Sequence, residues 1–358
     1  MICEINRTMA LSTTEFDKKA FLNRGAIFAY FDKIWLFWGL KQISGNPAPG
    51  PCLYGNDFFL RAAQPWWTYN HQMCVSKSDL KNFFAAHTLT PHWEPPLREI
   101  FERQFLWAQE KIENKELNKV VPYLFETSSF PPESSFIESC LAHGLKVQSG
   151  FLYGFWEKGR GMIGLTPEIL FEQVSSCSFR TNAIAGTTTL ENYIKAPESF
   201  TEDPKEIQEH LWVVESLQSS LAELAHVYLS ERQVLTTPHL AHLYTPMTFQ
   251  THKPLDVTTL IAKIHPTAAL GASPREQLWS AMETLDSWQE RNMFGAPFGL
   301  RINNEKSLFL VAIRNLCWEG EEVRITAGGG QVAESRRETE WQEMANKRQS
   351  IKRIFGLQ

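Results

Sequence analysis

The chain has 358 residues, 43% of them hydrophobic, which is long enough for one large core or two ordinary ones. A formal net charge of −5, with 35 Lys and Arg against 40 Asp and Glu and no long basic run, argues against a nucleic-acid footprint. Six scattered cysteines (Cys3, Cys52, Cys74, Cys140, Cys177, Cys317) include no CxxC pair, which fits reduced thiols in a cytoplasmic protein better than a disulfide framework or a zinc site.

Residues 1–12 lack the apolar segment of a signal peptide. The most apolar stretch, "AIFAYFDKIWLFWGL", is broken by Asp32 and Lys33. It predicts two strands and a turn, and no membrane span. "SGNPAPGPCLYGND" is a Gly/Pro-rich loop, and residues 78–118 carry helical patterning. "KVVPYLF" is strand-like. "FLYGFWEKGRGMIGLTPEILFEQ" and "EQVSSCSFRTNAIAGT" each predict a pair of strands. An amphipathic helix is predicted from about Lys205 to His226, with Ile207, Leu211, Val214, Leu217, Leu221 and Leu224 as its apolar stripe. "SPREQL" predicts a further helix start, with Ser273, Pro274 and Glu276 as a capping box. The end reads as strand, turn and strand ("SLFLVAIRNLCWEGEEVRIT"), a glycine turn ("AGGG") and a last helix. Hairpin-like pairs with helices between them argue for an α+β fold with antiparallel sheets. No linker is visible after residue 115, so a single domain over 1–358 is expected, with 1–115 as its variable part and 116–358 as the motif-bearing core.

In "ETEWQEMANK", helical spacing puts Glu340, Glu343 and Lys347 on one side, at i, i+3 and i+7. Two carboxylates three residues apart repel by a few tenths of a kcal/mol on an exposed helix. "KEIQEH" repeats the pattern. A helical wheel puts Glu206 at the edge of its apolar stripe and Glu209 just outside it. Glu340 and Glu343 flank a stripe of Trp341, Met344, Ile351 and Phe355. One such pair reads as a solvated helix edge. Two pairs tilted toward a core suggest four carboxylates converging on a cation, and all-oxygen ligation suits Mg²⁺. Spacing alone does not make the two helices neighbours.

Ten segments between Lys119 and Lys347 stand in an order that resembles the chorismate-utilising enzymes: isochorismate synthase, salicylate synthase, anthranilate synthase component I and aminodeoxychorismate synthase component I. They are "KVV" (119–121), "GLTPEIL" (164–170), "AIAGT" (183–187), "KEIQEH" (205–210), "HLYT" (242–245), "HPTAALG" (265–271), "GAPFG" (295–299), "AIR" (312–314), "AGGG" (327–330) and "EWQEMANK" (340–347). The resemblance implies two large antiparallel β-sheets with helices packed outside, and a cleft in which Mg²⁺ bridges carboxylates and the substrate's ring carboxylate. It casts Glu209 and Glu343 as direct metal ligands and Glu206 and Glu340 as water-mediated partners. It casts Arg314 as the grip on a side-chain carboxylate and Lys347 as a second carboxylate contact. Gly328, Gly329 and Gly330 would let backbone N–H groups approach an anion. Gly186 and Thr187 resemble ring-side contacts, and His242 a substrate-pocket histidine.

The His-Pro-Thr segment is closest to isochorismate synthases. Lys119 resembles the general base of the water-using members, and Glu168 the acid that protonates the departing C4 hydroxyl. The reaction implied is chorismate to isochorismate, by a monomer needing no glutaminase subunit, no nucleic acid and no membrane. Salicylate synthase, an aminodeoxychorismate or anthranilate synthase component I, and a catalytically silent chorismate-binding protein are the alternatives. Phe294 stands where the family usually has Tyr, Asn292 where it has Gly, and Ala268 where Pro is common.

Overall fold

The computed structural model describes residues 16–130 and 132–357; Cys3 and the leader reading of residues 1–12 lie outside them. Helix α1 (Lys18–Asn23) precedes the predicted hairpin of β1 (Gly25–Tyr30) and β2 (Lys33–Ser44), with Phe31 at φ 55° in the turn. Next come β3 (Cys52–Gly55), β4 (Trp66–Ser76), α2 (Lys77–Leu80) and α3 (Arg98–Glu113). Pro122, which has no N–H to give a ladder, separates β5 (Lys119–Val120) from β6 (Tyr123–Ser129). Then follow α4 (Ser134–Gly144), β7 (Phe151–Glu157), β8 (Arg160–Thr166), β9 (Ile169–Gln173), β10 (Ser178–Thr189), α5 (Leu190–Lys195), α6 (Glu198–Thr201) and α7 (Pro204–Leu221). The remainder is β11 (Ala225–Leu229), β12 (Gln233–Thr236), β13 (Leu240–Thr251), α8 (Val257–Ile264), β14 (Ala272–Ser273), α9 (Leu278–Trp288), β15 (Pro297–Asn303), β16 (Lys306–Val311), β17 (Asn315–Glu319), β18 (Glu322–Gly328) and α10 (Arg337–Phe355).

The fold is α+β and its sheets are antiparallel. One hydrogen-bonded path runs β11-β13-β10-β9-β16-β15-β3-β4-β2-β1-β7-β8-β17-β18-β6, with β12 on β13. Alternation along the strands divides their side chains between an inner and an outer layer. Ala26, Phe28, Phe37, Tyr153, Phe298, Leu308 and Leu310 pack together between the β10–β15 half and the β1–β18 half. Ile27, Leu36 and Ile163 face outward onto α1, α4 and the end of α10. Phe171, Phe309 and Val311 face outward onto α8 and α9. The two halves thus lie face to face with helices outside, while β3, β4, β2 and β1 join them edge to edge. No helix among the described residues is long and apolar enough to cross a membrane.

Four local expectations are corrected. Helix α7 ends at Leu221, not His226, because Ala225 already pairs with Thr251 in the β11–β13 ladder. Its buried face is also rotated: Leu211 is 39% exposed and Val213 is buried, since Glu209 and His210 take inward positions. The capping box at Ser273 does not form. Ser273 is a strand residue opposite Lys119, and a 3₁₀ turn at Arg275–Gln277 leads into α9. "AGGG" is no turn either. Gly328 ends β18, none of the three glycines has a positive φ, and the chain runs on to Gln331, which bridges Val120.

Candidate active site

Two of the key residues lie where the chain passes from one sheet half to the other: Glu168 between β8 and β9, Arg314 between β16 and β17. They line one pocket with Thr187, Glu209, His242, Phe294, Gly328 and Lys347. Glu168 is buried. That burial pushes its carboxyl up to about 7, although Lys119, Arg314 and Lys347 pull the other way. Near neutral pH it holds a proton for part of the time.

Lys119 lies behind this pocket. Its short strand is held on both sides: Asn118 N–H donates to Ser273 O (2.7 Å), Val121 N–H to Gly271 O (3.0 Å), and Val120 exchanges bonds with Gln331 (3.1 and 2.8 Å). The ammonium is wholly buried, 3.2 Å from Glu209 Oε1, but among the described residues no partner meets it in hydrogen-bond geometry. Burial lowers its pKa more than Glu209 raises it. Gly330 explains the closeness of this pair. A Cβ there would stand 1.9 Å from Glu209 Oε1 and 2.8 Å from Lys119 Cε. Gly329 plays the same part for Glu340, whose Oε2 would be 3.0 Å from a Cβ.

Asp203 caps α7 by accepting from Lys205 N–H (2.8 Å) and Glu206 N–H (3.1 Å), with Pro204 in the first turn. A bulge in β10 at Gly186, φ +75°, turns Thr187 N–H toward Glu206 Oε2 at 2.7 Å. Gly186 itself faces Glu206, and it is Ala185 and Thr187 that reach the pocket. Thr187 Oγ1 is 3.1 Å from His242 Nδ1, and His242 Nε2 is 3.3 Å from Arg314 Nη2. Burial, reinforced by Arg314 and Lys347, holds His242 well below its ordinary pKa. The neutral ring therefore accepts from Arg314 at Nε2 and donates to Thr187 at Nδ1. Arg314 sits at φ 55°, a conformation non-glycine residues adopt rarely and often at sites. Burial lowers its guanidinium to about 10, which leaves it charged, and its Nη1 has no partner among the described residues. Lys347 donates to Gly328 O (2.9 Å) and pairs with Glu343 Oε1 (2.5 Å).

The departures from the family pattern find places. Asn292 takes φ 49°, which glycine supplies more readily and Asn tolerates, and its carbonyl accepts from Phe58 N–H (3.0 Å). Phe294 is buried and presents a ring without a hydroxyl to the pocket. Ala268 is buried among Ala183, Val213 and Val214.

The four carboxylates do converge, and Glu209, Glu340 and Glu343 are buried members of their helices' inner faces, not stripe flanks. The point they share carries a residue the spacing argument passed over. Lys205 Nζ lies 3.1 Å from Glu206, 3.2 Å from Glu209, 3.3 Å from Glu340 and 3.7 Å from Glu343. Burial opposes its charge, but the four glutamates raise its pKa well above the ordinary value. The clue in the sequence was a lysine at i−1 and i−4 from two acids that themselves turn inward. As drawn in around Lys205, no three acidic, His or Cys side chains among the described residues stand in ligating geometry. The donor set is nevertheless all oxygen, and Glu340 Oε2 is buried without a partner among the described residues. Glu206, Glu209, Glu340 and Glu343 therefore fit a hard divalent cation in the place of the ammonium.

Residues 57–356 match the family model described as "Chorismate binding enzyme". Isochorismate synthase MenF of Bacillus subtilis is 28% identical over 203 residues, 55% of this chain and 42% of that protein. Isochorismate synthase EntC of Escherichia coli K12 is 26% identical over 274 residues, 73% of this chain and 68% of that protein. The matched region thus spans less than half the length of the first of these relatives. The crystal structure described as a putative 2,3-dihydroxybenzoate-specific isochorismate synthase, DhbC, from Bacillus anthracis superposes with a TM-score of 0.79 at 21% identity, covering 96% of this chain and 98% of that one. This likeness establishes the fold.

Proposed function

This chain belongs to the chorismate-binding enzyme family, and we propose on that premise that it converts chorismate to isochorismate. The observation that carries the proposal is a pocket lined by a carboxyl that burial holds near a pKa of about 7 (Glu168) and a guanidinium with a free N–H (Arg314), with an ammonium that burial drives toward its neutral form (Lys119) 3.2 Å behind the pocket-lining Glu209. Environments that push two titratable groups in opposite directions are what an acid–base pair requires.

In the proposed step Lys119, as the free amine, takes a proton from water as the water oxygen bonds to C2. The ring double bonds shift and the C4–O bond breaks. Glu168 gives its proton to the departing hydroxyl, so water is both consumed and released. Arg314 meets the side-chain carboxylate through Nη1, and the Arg314–His242–Thr187 chain fixes its plane. Lys347, held by Gly328 O, adds a second positive contact. Mg²⁺ held by the four glutamates would offset charge on the ring carboxylate. Because water is the nucleophile, no ammonia-supplying glutaminase is needed.

The test is incubation of purified protein with chorismate, with and without Mg²⁺, followed by chromatographic product analysis. Isochorismate formed only with Mg²⁺ supports the proposal. Salicylate plus pyruvate, or a product that appears only with added ammonia, assigns a sister reaction instead. Chorismate bound but unchanged makes the chain a binding protein.

A further inference from the structure

We propose that Lys205 is an internal counter-cation that occupies the carboxylate site when no metal is bound and must leave it for a divalent ion to enter. The proposal rests on reading the four glutamates as a cation site, and it concerns what fills that site otherwise. Lys119 reaches Glu209 and Lys347 reaches Glu343, but Lys205 Nζ contacts all four carboxylates, between 3.1 and 3.7 Å. Mg²⁺ needs oxygen ligands at about 2.0–2.1 Å. A nitrogen already at the shared point cannot stay there with it, on grounds of both space and like charge.

Two features give the ammonium somewhere to go. It projects from the first turn of α7, and its side chain keeps 13% of its surface open to solvent. Glu206 and Glu343 also border a second cavity, whose Asn192, Gln342 and Asn346 offer amide oxygens to a displaced ammonium. Glu340 Oε2, buried and without a partner, shows that one lysine does not fully satisfy the four acids. Four carboxylates forced together without a central cation would repel one another. Lysine therefore keeps the site assembled, and the affinity for metal is reduced by the fraction of molecules in which it is seated.

The test uses the full chain and Mn²⁺ alone as the probe, with free Mn²⁺ read by electron paramagnetic resonance. Lys205→Met should bind Mn²⁺ on the order of tenfold more tightly than the wild type. It should also melt at a lower temperature in EDTA, with the difference removed by saturating Mn²⁺. Equal or weaker binding by the variant overturns the proposal and leaves the metal site standing. No Mn²⁺ binding by either protein overturns both. A measurement on the wild type stands if the variant does not fold. Acylation of Lys205 by an amine-reactive ester, read by peptide mass spectrometry at fixed pH, should rise severalfold on adding Mg²⁺. Unchanged or reduced labelling overturns the proposal.

Discussion

Gly330→Ala is expected to disable turnover without unfolding the protein. The new methyl would stand 1.9 Å from Glu209 Oε1, 2.6 Å from its carboxyl carbon and 2.8 Å from Lys119 Cε. Ordinary carbon contacts begin near 3.5 Å, so the carboxylate must retreat by roughly 1.5 Å. The backbone itself accepts alanine, because Gly330 has no positive φ. Both displaced groups are side-chain ends, so the overpacking cost should stay within about 1–3 kcal/mol. Neither group can escape to solvent, since Glu209 and Lys119 are both buried. They must shift against Lys205 and each other, and a misplacement of about 1 Å costs roughly 10²-fold in rate. The assay pairs kcat for isochorismate formation with a thermal melt. Gly50→Ala, where a Cβ meets nothing within 4 Å, serves as the control that should change neither. Turnover by Gly330→Ala within about twofold of the wild type would show that the Lys119–Glu209 contact is not where the chemistry depends on it.

Lys119→Ala should lower kcat by roughly 10²–10⁴, and a loss under twofold in steady-state kinetics would remove it as the base. For Glu168, a folded pKa of about 7 against an ordinary 4.5 means that the native state binds more protons than the unfolded state between those values. Stability from this group therefore falls as pH rises through that window. Glu168→Gln should flatten this decline in melting experiments between pH 5 and 8 while abolishing turnover. In the wild type, kcat/KM should fall above pH 7 as the acid loses its proton, and a profile flat from 6 to 9 would contradict the assignment. Phe294→Tyr should lower KM by the worth of one hydrogen bond, about 0.5–1.5 kcal/mol; an equal or higher KM would mean that the hydroxyl finds no partner on the substrate.

The parts of the molecule legible in the sequence are those whose pattern is local. Asp32 marks the β1–β2 turn and Lys33 opens β2, because a charged pair is seldom placed inside an apolar strand. Glu206, Glu209, Glu340 and Glu343 stand out because like charges recur at helical spacing. What long-range pairing decides was misread. Ser273, Pro274 and Glu276 have the composition of a capping box, yet Ser273 is claimed by Lys119, more than 150 residues earlier in the chain. Leu211 belongs to a good apolar stripe but is exposed, because the site turns Glu209 inward and the helix rotates with it. Lys205 was passed over because a lysine four residues before a glutamate ordinarily means a solvated ion pair. Only the convergence of Glu340 and Glu343 from α10 on the start of α7 makes it the centre of four.

The strands that join the two sheet halves carry a lesson for anyone shortening this protein. All ten motif segments lie at or beyond Lys119, which invites trimming to a minimal catalytic fragment that begins there. Such a fragment would keep every residue named in the chemistry. It would lose β1 to β4, leaving β15 and β7 as bare edges and uncovering the apolar layer of Phe298, Leu308 and Tyr153. Main-chain ladders recognise strands by register more than by side chain, so these four can drift far in sequence and still do their work. Glu168 and Arg314 would still be tied by the β9–β16 and β8–β17 ladders, but the stretch that looks most dispensable to a motif search is the one that joins the two sheet halves edge to edge.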